Sequence, residues 1–194
     1  MNRRALLKAL ALALSGPVLA QGACTPTPAL AQGPYYLAGV PRRRDLREGE
    51  GVPFRLRLLV QDALCRPLRG ARVDLWHADP LGRYSGFQMP GVAFRGYELA
   101  DEGGGVEFLT HFPGWYPGRT PHFHLRVEAG GRVLVTQLFF PEEVIEAVYA
   151  RPPYRTRGLP NVRNRQDGIF RADLLLSPKV EGEGFGAGFT LVLR

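Results

Sequence analysis

Two histidines, a tyrosine and an arginine lie within nine positions of one stretch, residues 112–127, which reads FPGWYPGRTPHFHLRV. His122 and His124 are two positions apart in an alternating run, so in a strand both imidazoles point to the same face. Tyr116 and Arg119 precede them on a loop rich in Gly and Pro. Two imidazoles on one strand face can share a metal ion, and Tyr116 can reach the same ion. The stretch therefore predicts a metal site.

The residues alone leave the identity of the metal open. A second tyrosine, Tyr84, lies on a loop directly after a predicted strand, where binding residues often occur. Two phenolates and two imidazoles form a hard, anionic donor set that suits Fe³⁺, whereas structural zinc prefers cysteine and histidine. The His-x-Asp spacing of His77 and Asp79 is typical of a rival ferrous site with two histidines and one carboxylate. Both iron sites remain alternatives at this point.

Alternating segments separated by turns predict the framework that must position these residues. Strands are expected over residues 54–58, 72–78, 106–110, 122–129, 132–140 and 186–193. Gly130-Gly131 between two of these strands indicates a hairpin. Pro141 at the first helical position and two acids in the first turn indicate one short helix that ends near Ala150. Short strands, many turns and little helix predict an all-β fold, a β-sandwich of mixed topology with long loops.

The first 20 residues predict an export signal. Paired arginines at positions 3 and 4 precede a short apolar run, and Val18-Leu19-Ala20 is typical of a cleavage site, so Gln21 is the expected mature start. The arginine pair is similar to a twin-arginine signal, and a general secretory signal is the alternative. The apolar run is shorter than the ~20 residues that span a membrane, so no stable membrane anchor is expected. The predicted location is periplasmic or extracellular. The resulting divisions are an export signal (1–20), an extended N-terminal arm (21–52) and a β-sandwich catalytic domain (53–194).

The charge of the chain argues against nucleic acid as a partner. The formal net charge is +7, and removal of the signal takes away three positive charges and no acid, which leaves +4. The remaining arginines are scattered, apart from a cluster at residues 42–44. The sequence contains no long basic stripe interleaved with aromatic residues, so no nucleic-acid binding is expected.

The chain has two cysteines, Cys24 and Cys65. In an exported protein an even number of cysteines favours a disulfide, which here would tie the N-terminal arm to the domain. Lipidation of Cys24 is the alternative. The residues before it, Gln21-Gly22-Ala23, lack the aliphatic residue expected three positions upstream, so the disulfide is the prediction.

Together these residues resemble the intradiol ring-cleavage dioxygenases, non-haem ferric enzymes that open catechols between the two hydroxylated carbons. Four segments carry the resemblance, in order, over residues 33–140. They are Gly33-Pro34-Tyr35-Tyr36; Val73 to Asp79 with Gly82-Arg83-Tyr84-Ser85-Gly86; Pro113 to Pro117 with Arg119 to His124; and Thr136 to Phe140. The cysteine pair and the export signal are similar to those of the secreted branch of this family.

The resemblance implies a non-haem Fe(III) site and assigns its residues. The implied metal ligands are Tyr84, Tyr116, His122 and His124. Arg119 is implied as the cation that orients and stabilises the electron-rich ring during reaction, and Gln137 as a hydrogen-bonding partner. Tyr35 is implied in lining the substrate pocket.

The resemblance also implies the reaction and its partners. The substrates would be a small aromatic diol and O₂, and the product a muconate-type dicarboxylic acid. A homo-oligomer is compatible with the resemblance, and neither the oligomeric state nor the ring substituents follow from the sequence. Two other functions remain as alternatives: a non-catalytic secreted β-sandwich that only binds ligands, and a ferrous oxygenase that uses His77 and Asp79.

Overall fold

The structure is a computed structural model that describes residues 23–194. The predicted export signal lies outside the described residues and stays a prediction. Within them the chain forms two layers of strands, one α-helix and three single-turn 3-10 helices. The elements are β1 (Pro53–Asp62), β2 (Arg72–Trp76), β3 (Arg95–Leu99), β4 (Gly105–His111), β5 (His122–Ala129), β6 (Arg132–Phe139), α1 (Glu142–Tyr149), the 3-10 turns Tyr154–Thr156, Asn164–Gln166 and Ala172–Leu174, β7 (Lys179–Glu181) and β8 (Gly184–Leu193).

The strands form two four-stranded sheets, ordered β4-β1-β8-β7 and β3-β2-β5-β6. Neighbouring strands are antiparallel except β1 and β8, which are parallel. The predicted all-β sandwich of mixed topology is therefore confirmed. Strand β5, which carries the histidine pair, lies between β2 and β6, so the backbone of the candidate site is held on both sides.

The core between the sheets is formed by alternate residues of the strands, because successive side chains of a strand point to opposite faces. In β1 and β5 the inward residues are fully or nearly fully buried and belong to one apolar cluster. They are Phe54, Leu56, Leu58 and Val60 in β1, and Phe123, Leu125 and Val127 in β5. This burial fixes the register of β5 and turns His122 and His124 to its other face.

Several local predictions are confirmed, and two strands are additional. Gly130 and Gly131 both have positive φ, 56° and 75°, as a tight two-residue hairpin turn requires. The helix occupies Glu142–Tyr149, with Pro141 just before its first residue and not at its first helical position. Strands β3 and β7 lack an alternating apolar pattern; β7 has three residues, all exposed, and β3 begins with Arg and Gly. Pairing with neighbouring strands, rather than local pattern, makes them strands.

The N-terminal arm, described here from residue 23 to residue 52, contains no helix or strand beyond single bridges. It runs along the open edges of the sheets and pairs with them by backbone hydrogen bonds. Leu30 N donates to Val135 O on β6 (2.8 Å), and Leu46 N donates to Leu109 O on β4 (2.8 Å). The arm therefore covers edges that would otherwise expose unpaired backbone groups.

The disulfide between Cys24 and Cys65 is present, with the Cα atoms 5.3 Å apart, which confirms that prediction. The bond uses the Cys24 sulfur, so the lipidation alternative is wrong for this structure. The disulfide fixes the arm where its described part begins. Within residues 23–194, no helix combines the length and the apolar character needed to cross a bilayer.

Candidate metal centre

Four side-chain donor atoms meet on the outer face of β5. The Nε2 atoms of His122 and His124 are 3.0 Å apart. The Tyr84 hydroxyl lies 3.1 Å from His124 Nε2, and the Tyr116 hydroxyl lies 3.3 Å from His122 Nε2. The structure thus brings together all four residues that the resemblance implies as ligands.

The hydrogen-bond partner of His122 Nδ1 shows which ring nitrogen of His122 carries the proton. His122 Nδ1 lies 2.7 Å from the carbonyl oxygen of Thr120, and a carbonyl only accepts hydrogen bonds, so Nδ1 carries the proton. The lone pair of His122 is therefore on Nε2, which faces the other three donor atoms. Burial, and then the positive charge of Arg119, lower the pKa of His122 to about 3. A neutral imidazole with its lone pair turned into the site is the form that binds a metal.

His124 is held mainly by packing. Its ring stacks on Trp76, with centroids 4.9 Å apart and planes inclined by 9°. Burial and the neighbouring His122 lower the pKa of His124 well below its ordinary value, so it too is neutral at pH 7. Among the described residues, His124 Nδ1 has no hydrogen-bond partner. Because Nδ1 makes no hydrogen bond to another described residue, the His124 ring is oriented by stacking on Trp76. Sequence reasoning did not assign Trp76 to the site.

The two phenols differ in their surroundings. Tyr84 is almost completely buried. Burial, and then the neighbouring Tyr116, raise the pKa of Tyr84 well above its ordinary value. Burial also raises the pKa of Tyr116, but the Arg119 guanidinium opposes that rise. Tyr116 is therefore the phenol more readily ionised by its surroundings.

Two glycines let the loops that carry the tyrosines touch. Gly82 lies two residues before Tyr84 and has φ +81°, and Gly114 lies two residues before Tyr116. A Cβ atom on Gly114 would lie 2.5 Å from Gly82 N and would overlap the Asp79 carbonyl oxygen. Only a residue without Cβ allows this approach of the two backbones. The glycines thus allow the backbones of the two tyrosine loops to come into contact.

The ferrous alternative is not supported by the geometry. His77 Nδ1 lies 2.7 Å from Ala78 O and Nε2 lies 2.7 Å from Thr110 Oγ1, so both ring nitrogens are occupied. Asp79 pairs with Arg83 (2.7 Å) and turns the chain after β2. Among the described residues, no group of three His, Cys, Asp or Glu is arranged to hold a metal.

The donor set fits a ferric ion better than zinc. Two neutral imidazoles present their Nε2 atoms to each other at 3.0 Å, with two phenol oxygens beside them. Once deprotonated, the phenols supply two hard anionic oxygens, which suit a trivalent ion. Cysteine, the preferred ligand of structural zinc, is excluded because both cysteines form the disulfide.

Arg119 lies beside the four donors and is held by three acceptors. Its Nη1 donates to the Tyr116 hydroxyl (3.3 Å), its Nη2 to Gln137 Oε1 (2.6 Å) and its Nε to Asp167 Oδ2 (2.8 Å). Gln137 in turn donates from Nε2 to the Ala31 carbonyl of the arm (2.8 Å). The two residues implied as catalytic are thus in contact. Asp167, 48 residues after Arg119, was missed by sequence reasoning because no motif surrounds it.

The arm brings Tyr35 to the same place. The Tyr35 ring stacks on Tyr84, with centroids 4.2 Å apart, and meets Tyr116 edge-on at 6.0 Å. Arg95, buried beneath the loop, donates to the Tyr35 carbonyl (2.5 Å) and holds the arm in position. Burial lowers the pKa of Arg95 to about 10. Tyr35 therefore contacts two of the four candidate ligands, and its role in lining a substrate pocket stays a prediction.

Comparison with known proteins identifies the family of this chain. A family model described as "Dioxygenase" matches residues 31–150. The protocatechuate 3,4-dioxygenase beta chain of Burkholderia cepacia is 32% identical over 165 residues, which cover 74% of this chain and 67% of that protein. The intradiol ring-cleavage dioxygenase structure from Tetranychus urticae superposes with a TM-score of 0.83 at 29% identity and covers 88% of this chain and 95% of its own. The chain belongs to the intradiol ring-cleavage dioxygenase family.

Some relatives are considerably longer. The chlorocatechol 1,2-dioxygenase of Pseudomonas sp. (strain P51) is 31% identical over 134 residues, which cover 56% of this chain and 53% of that protein. The chain thus spans about half the length of several curated relatives that it matches.

Proposed function

We propose that this protein is a non-haem Fe(III) intradiol dioxygenase. It cleaves a catechol-type ring with O₂ between the two hydroxylated carbons and yields a muconate-type dicarboxylic acid that contains both oxygen atoms. The single observation that carries the proposal is the meeting of two phenols and two neutral imidazoles at 3.0–3.3 Å. Family membership and the catechol and protocatechuate dioxygenases among the relatives support it.

In this proposal Tyr84, Tyr116, His122 and His124 hold the ferric ion. When bound, the ion supplies Lewis-acid activation of the coordinated diol toward O₂. Protein side chains carry out the remaining steps, which are proton exchange with the diol and stabilisation of its ring. The two imidazoles are already neutral in the site, so only the phenols and the diol release protons when the complex forms.

Tyr116 is the phenol suited to exchange a proton with the substrate. It is half-buried, whereas Tyr84 is almost fully buried, and Arg119 Nη1 is 3.3 Å from its oxygen. A cation at this distance stabilises a phenolate, and it equally stabilises the oxygen of an ionised diol that approaches Tyr116. We expect the diol to lose a proton to Tyr116 or to solvent as it binds.

Arg119 and Tyr35 then act on the ring itself. The guanidinium is preorganised by Gln137 and Asp167, so it stabilises the electron-rich ring without reorganisation during reaction. Tyr35 offers an aromatic face next to Tyr84 against which a planar ring can pack. The arm also contacts the site through the Ala31 carbonyl, which accepts from Gln137, and through the Tyr35 ring.

The test combines colour with product analysis. Ferric tyrosinate absorbs visible light by charge transfer, so the iron-loaded wild type should be coloured and its band should shift when catechol is added without O₂. Tyr84→Phe should lose the band and retain little iron, because one anionic ligand is removed. Tyr97→Phe is the matched control, since Tyr97 lies on β3 under Arg72 and away from the site.

With ¹⁸O₂ the product should be a muconate-type acid labelled at both positions. A wild-type protein that binds no iron, or that keeps its visible band without Tyr84, would contradict the proposed site. Colour without turnover of any catechol would favour the alternative of a non-catalytic binding protein.

The export of the protein is part of the same proposal. The disulfide between Cys24 and Cys65 supports an oxidising compartment, where such bonds persist. We expect delivery by the twin-arginine route to the periplasm or the medium. Replacing both Arg3 and Arg4 with lysine should retain the protein in the cytoplasm, as measured by fractionation. Continued export of this variant would favour the general secretory route.

A further inference from the structure

The 3-10 turn Asn164–Gln166 and the residue after it contact the candidate active site from a distant part of the chain. Asp167 lies beyond residue 150, where the family-model match ends. Its side chain is fully buried, and its Oδ2 accepts a hydrogen bond from Arg119 Nε at 2.8 Å. The side chain of Arg119 is 14% exposed. A charge pair this deeply buried is costly to break, because one charge is then left without its partner.

The same carboxylate also fixes the backbone between Arg119 and His122. Asp167 Oδ2 accepts from Thr120 N (3.1 Å), and Asn164 Oδ1 accepts from Thr120 Oγ1 (2.8 Å). The Thr120 carbonyl is the group that accepts from His122 Nδ1. The turn at residues 164–167 therefore holds the Arg119 guanidinium directly, and it holds the His122 imidazole through Thr120.

The Arg119 guanidinium donates hydrogen bonds from three nitrogen atoms, and each nitrogen has a different acceptor. Asp167 occupies Nε, Gln137 occupies Nη2, and Nη1 points to the Tyr116 hydroxyl at the candidate metal centre. Because the guanidinium is planar and rigid, fixing Nε and Nη2 also fixes the direction of Nη1. Without Asp167 the guanidinium keeps its charge but can rotate about its long side chain.

We propose that Asp167 is a positioning residue that acts through Arg119 and aims its Nη1 at the substrate-binding side of Tyr116. The inference rests on the proposed ring-cleavage function. It adds a residue outside the four segments that resemble the family. Among the described residues, Asp167 makes no hydrogen bond to a candidate ligand: it contacts Arg119 directly and reaches His122 only through Thr120, so the effect on turnover proposed here is the one through Arg119.

The test compares Asp167→Asn with Asp173→Asn, a matched control. Asp173 lies in the same C-terminal segment and pairs with Arg171 at 2.8 Å, but both side chains are half-exposed. Such an exposed pair contributes little. We expect Asp167→Asn to lower kcat for catechol by up to about 100-fold, because a misplaced guanidinium stabilises the reacting ring less well. The visible iron band and the anaerobic dissociation constant of catechol should stay within a few-fold of wild type, and Asp173→Asn should behave as wild type.

A double variant separates positioning from a structural role. In an Arg119→Ala background, Asp167→Asn should cause no further loss of kcat, because there is no guanidinium left to aim. A full additional loss in that background, or an unchanged kcat in Asp167→Asn alone, would overturn the proposal. A loss of iron together with kcat would also overturn it, since Asp167 would then serve the metal site as a whole.

A measurement on the wild type is independent of activity and of the folding of the variant. The Arg119 Nε–H should give a ¹H–¹⁵N signal in the full chain prepared without iron, with slow hydrogen exchange because of its buried bond to Asp167. Rapid exchange of this proton would contradict the pairing. If the wild type cleaves no catechol, the proposed function fails, while a protected Nε–H still supports the hold of Asp167 on Arg119.

Discussion

Gly114→Ala is expected to separate the two loops that carry Tyr84 and Tyr116. The added Cβ would overlap the Asp79 carbonyl oxygen and would lie 2.5 Å from Gly82 N and 2.7 Å from Pro80 O. All three obstacles are backbone atoms, so no side chain can rotate away. Since ordinary contacts of a Cβ atom begin near 3.4 Å, the loops must move apart by about 1 Å. Overpacking of this kind costs about 1–3 kcal/mol.

Two quantities should change together. For a domain of this size, 1 kcal/mol corresponds to roughly 2–4 °C in Tm, so Tm should fall by about 2–12 °C. The affinity for Fe³⁺ should fall about 10- to 100-fold, because the phenols no longer keep their spacing. Differential scanning calorimetry measures the first, and titration of the visible band against a competing chelator measures the second.

The control is Gly103→Ala, because Gly103 lies on a distant loop and its added Cβ would meet only Asp101 Oδ1, at an ordinary 3.5 Å. Equal Tm and equal iron affinity in the two variants would refute the idea that close contact of the loops sets the spacing of the phenols. A loss of stability without a loss of iron affinity would show that the contact serves the fold alone.

Three further outcomes are expected. Burial lowers the pKa of His77 to about 3, below its unfolded value near 6.5, so the stability that it contributes is complete above pH 6.5 and is lost as the pH falls from there toward 3. Between pH 7 and pH 5 wild type should therefore lose about 2 kcal/mol more than His77→Gln, measured by urea denaturation, and equal losses would contradict the buried neutral state. Replacing Cys24 and Cys65 with serine should lower stability by about 4 kcal/mol in the chain-entropy treatment, measured in the same way, and an unchanged midpoint would mean that the arm is held by its hydrogen bonds alone. Tyr35→Leu should raise KM for catechol several-fold more than it lowers kcat, because the stacking face is lost while Arg119 stays, and an unchanged KM would remove Tyr35 from the pocket.

The sequence predicted the parts of the fold that follow from local pattern. Alternation in residues 54–58 and 122–129 specified strands with one apolar face, and Gly130-Gly131 specified the hairpin between β5 and β6. The same alternation turned His122 and His124 to one face, since the period of a strand is two. Strands β3 and β7 were missed because their residues become strands through their partners and have little preference of their own.

Other features of the site follow from packing between distant segments. The sequence identified Tyr84, Tyr116 and Arg119 by their order and by resemblance to a family, but it contained no distance between them. Trp76 under His124 and Asp167 behind Arg119 belong to no local pattern, because their partners are 48 residues away along the chain.

The donor types, the common face of the two histidines and the pair of cysteines are features that can be read directly from the amino-acid sequence. These follow from residue chemistry and from the two-residue period of a strand. The tertiary structure was needed to show that both ring nitrogens of His77 are occupied, so that the ferrous alternative loses its first ligand. It also decided that two glycines bring the tyrosine loops into contact and that a C-terminal carboxylate holds the arginine. The reason is physical. Burial and hydrogen-bond pairing depend on which segments come into contact when the core between the sheets forms, and no local sequence pattern encodes those contacts.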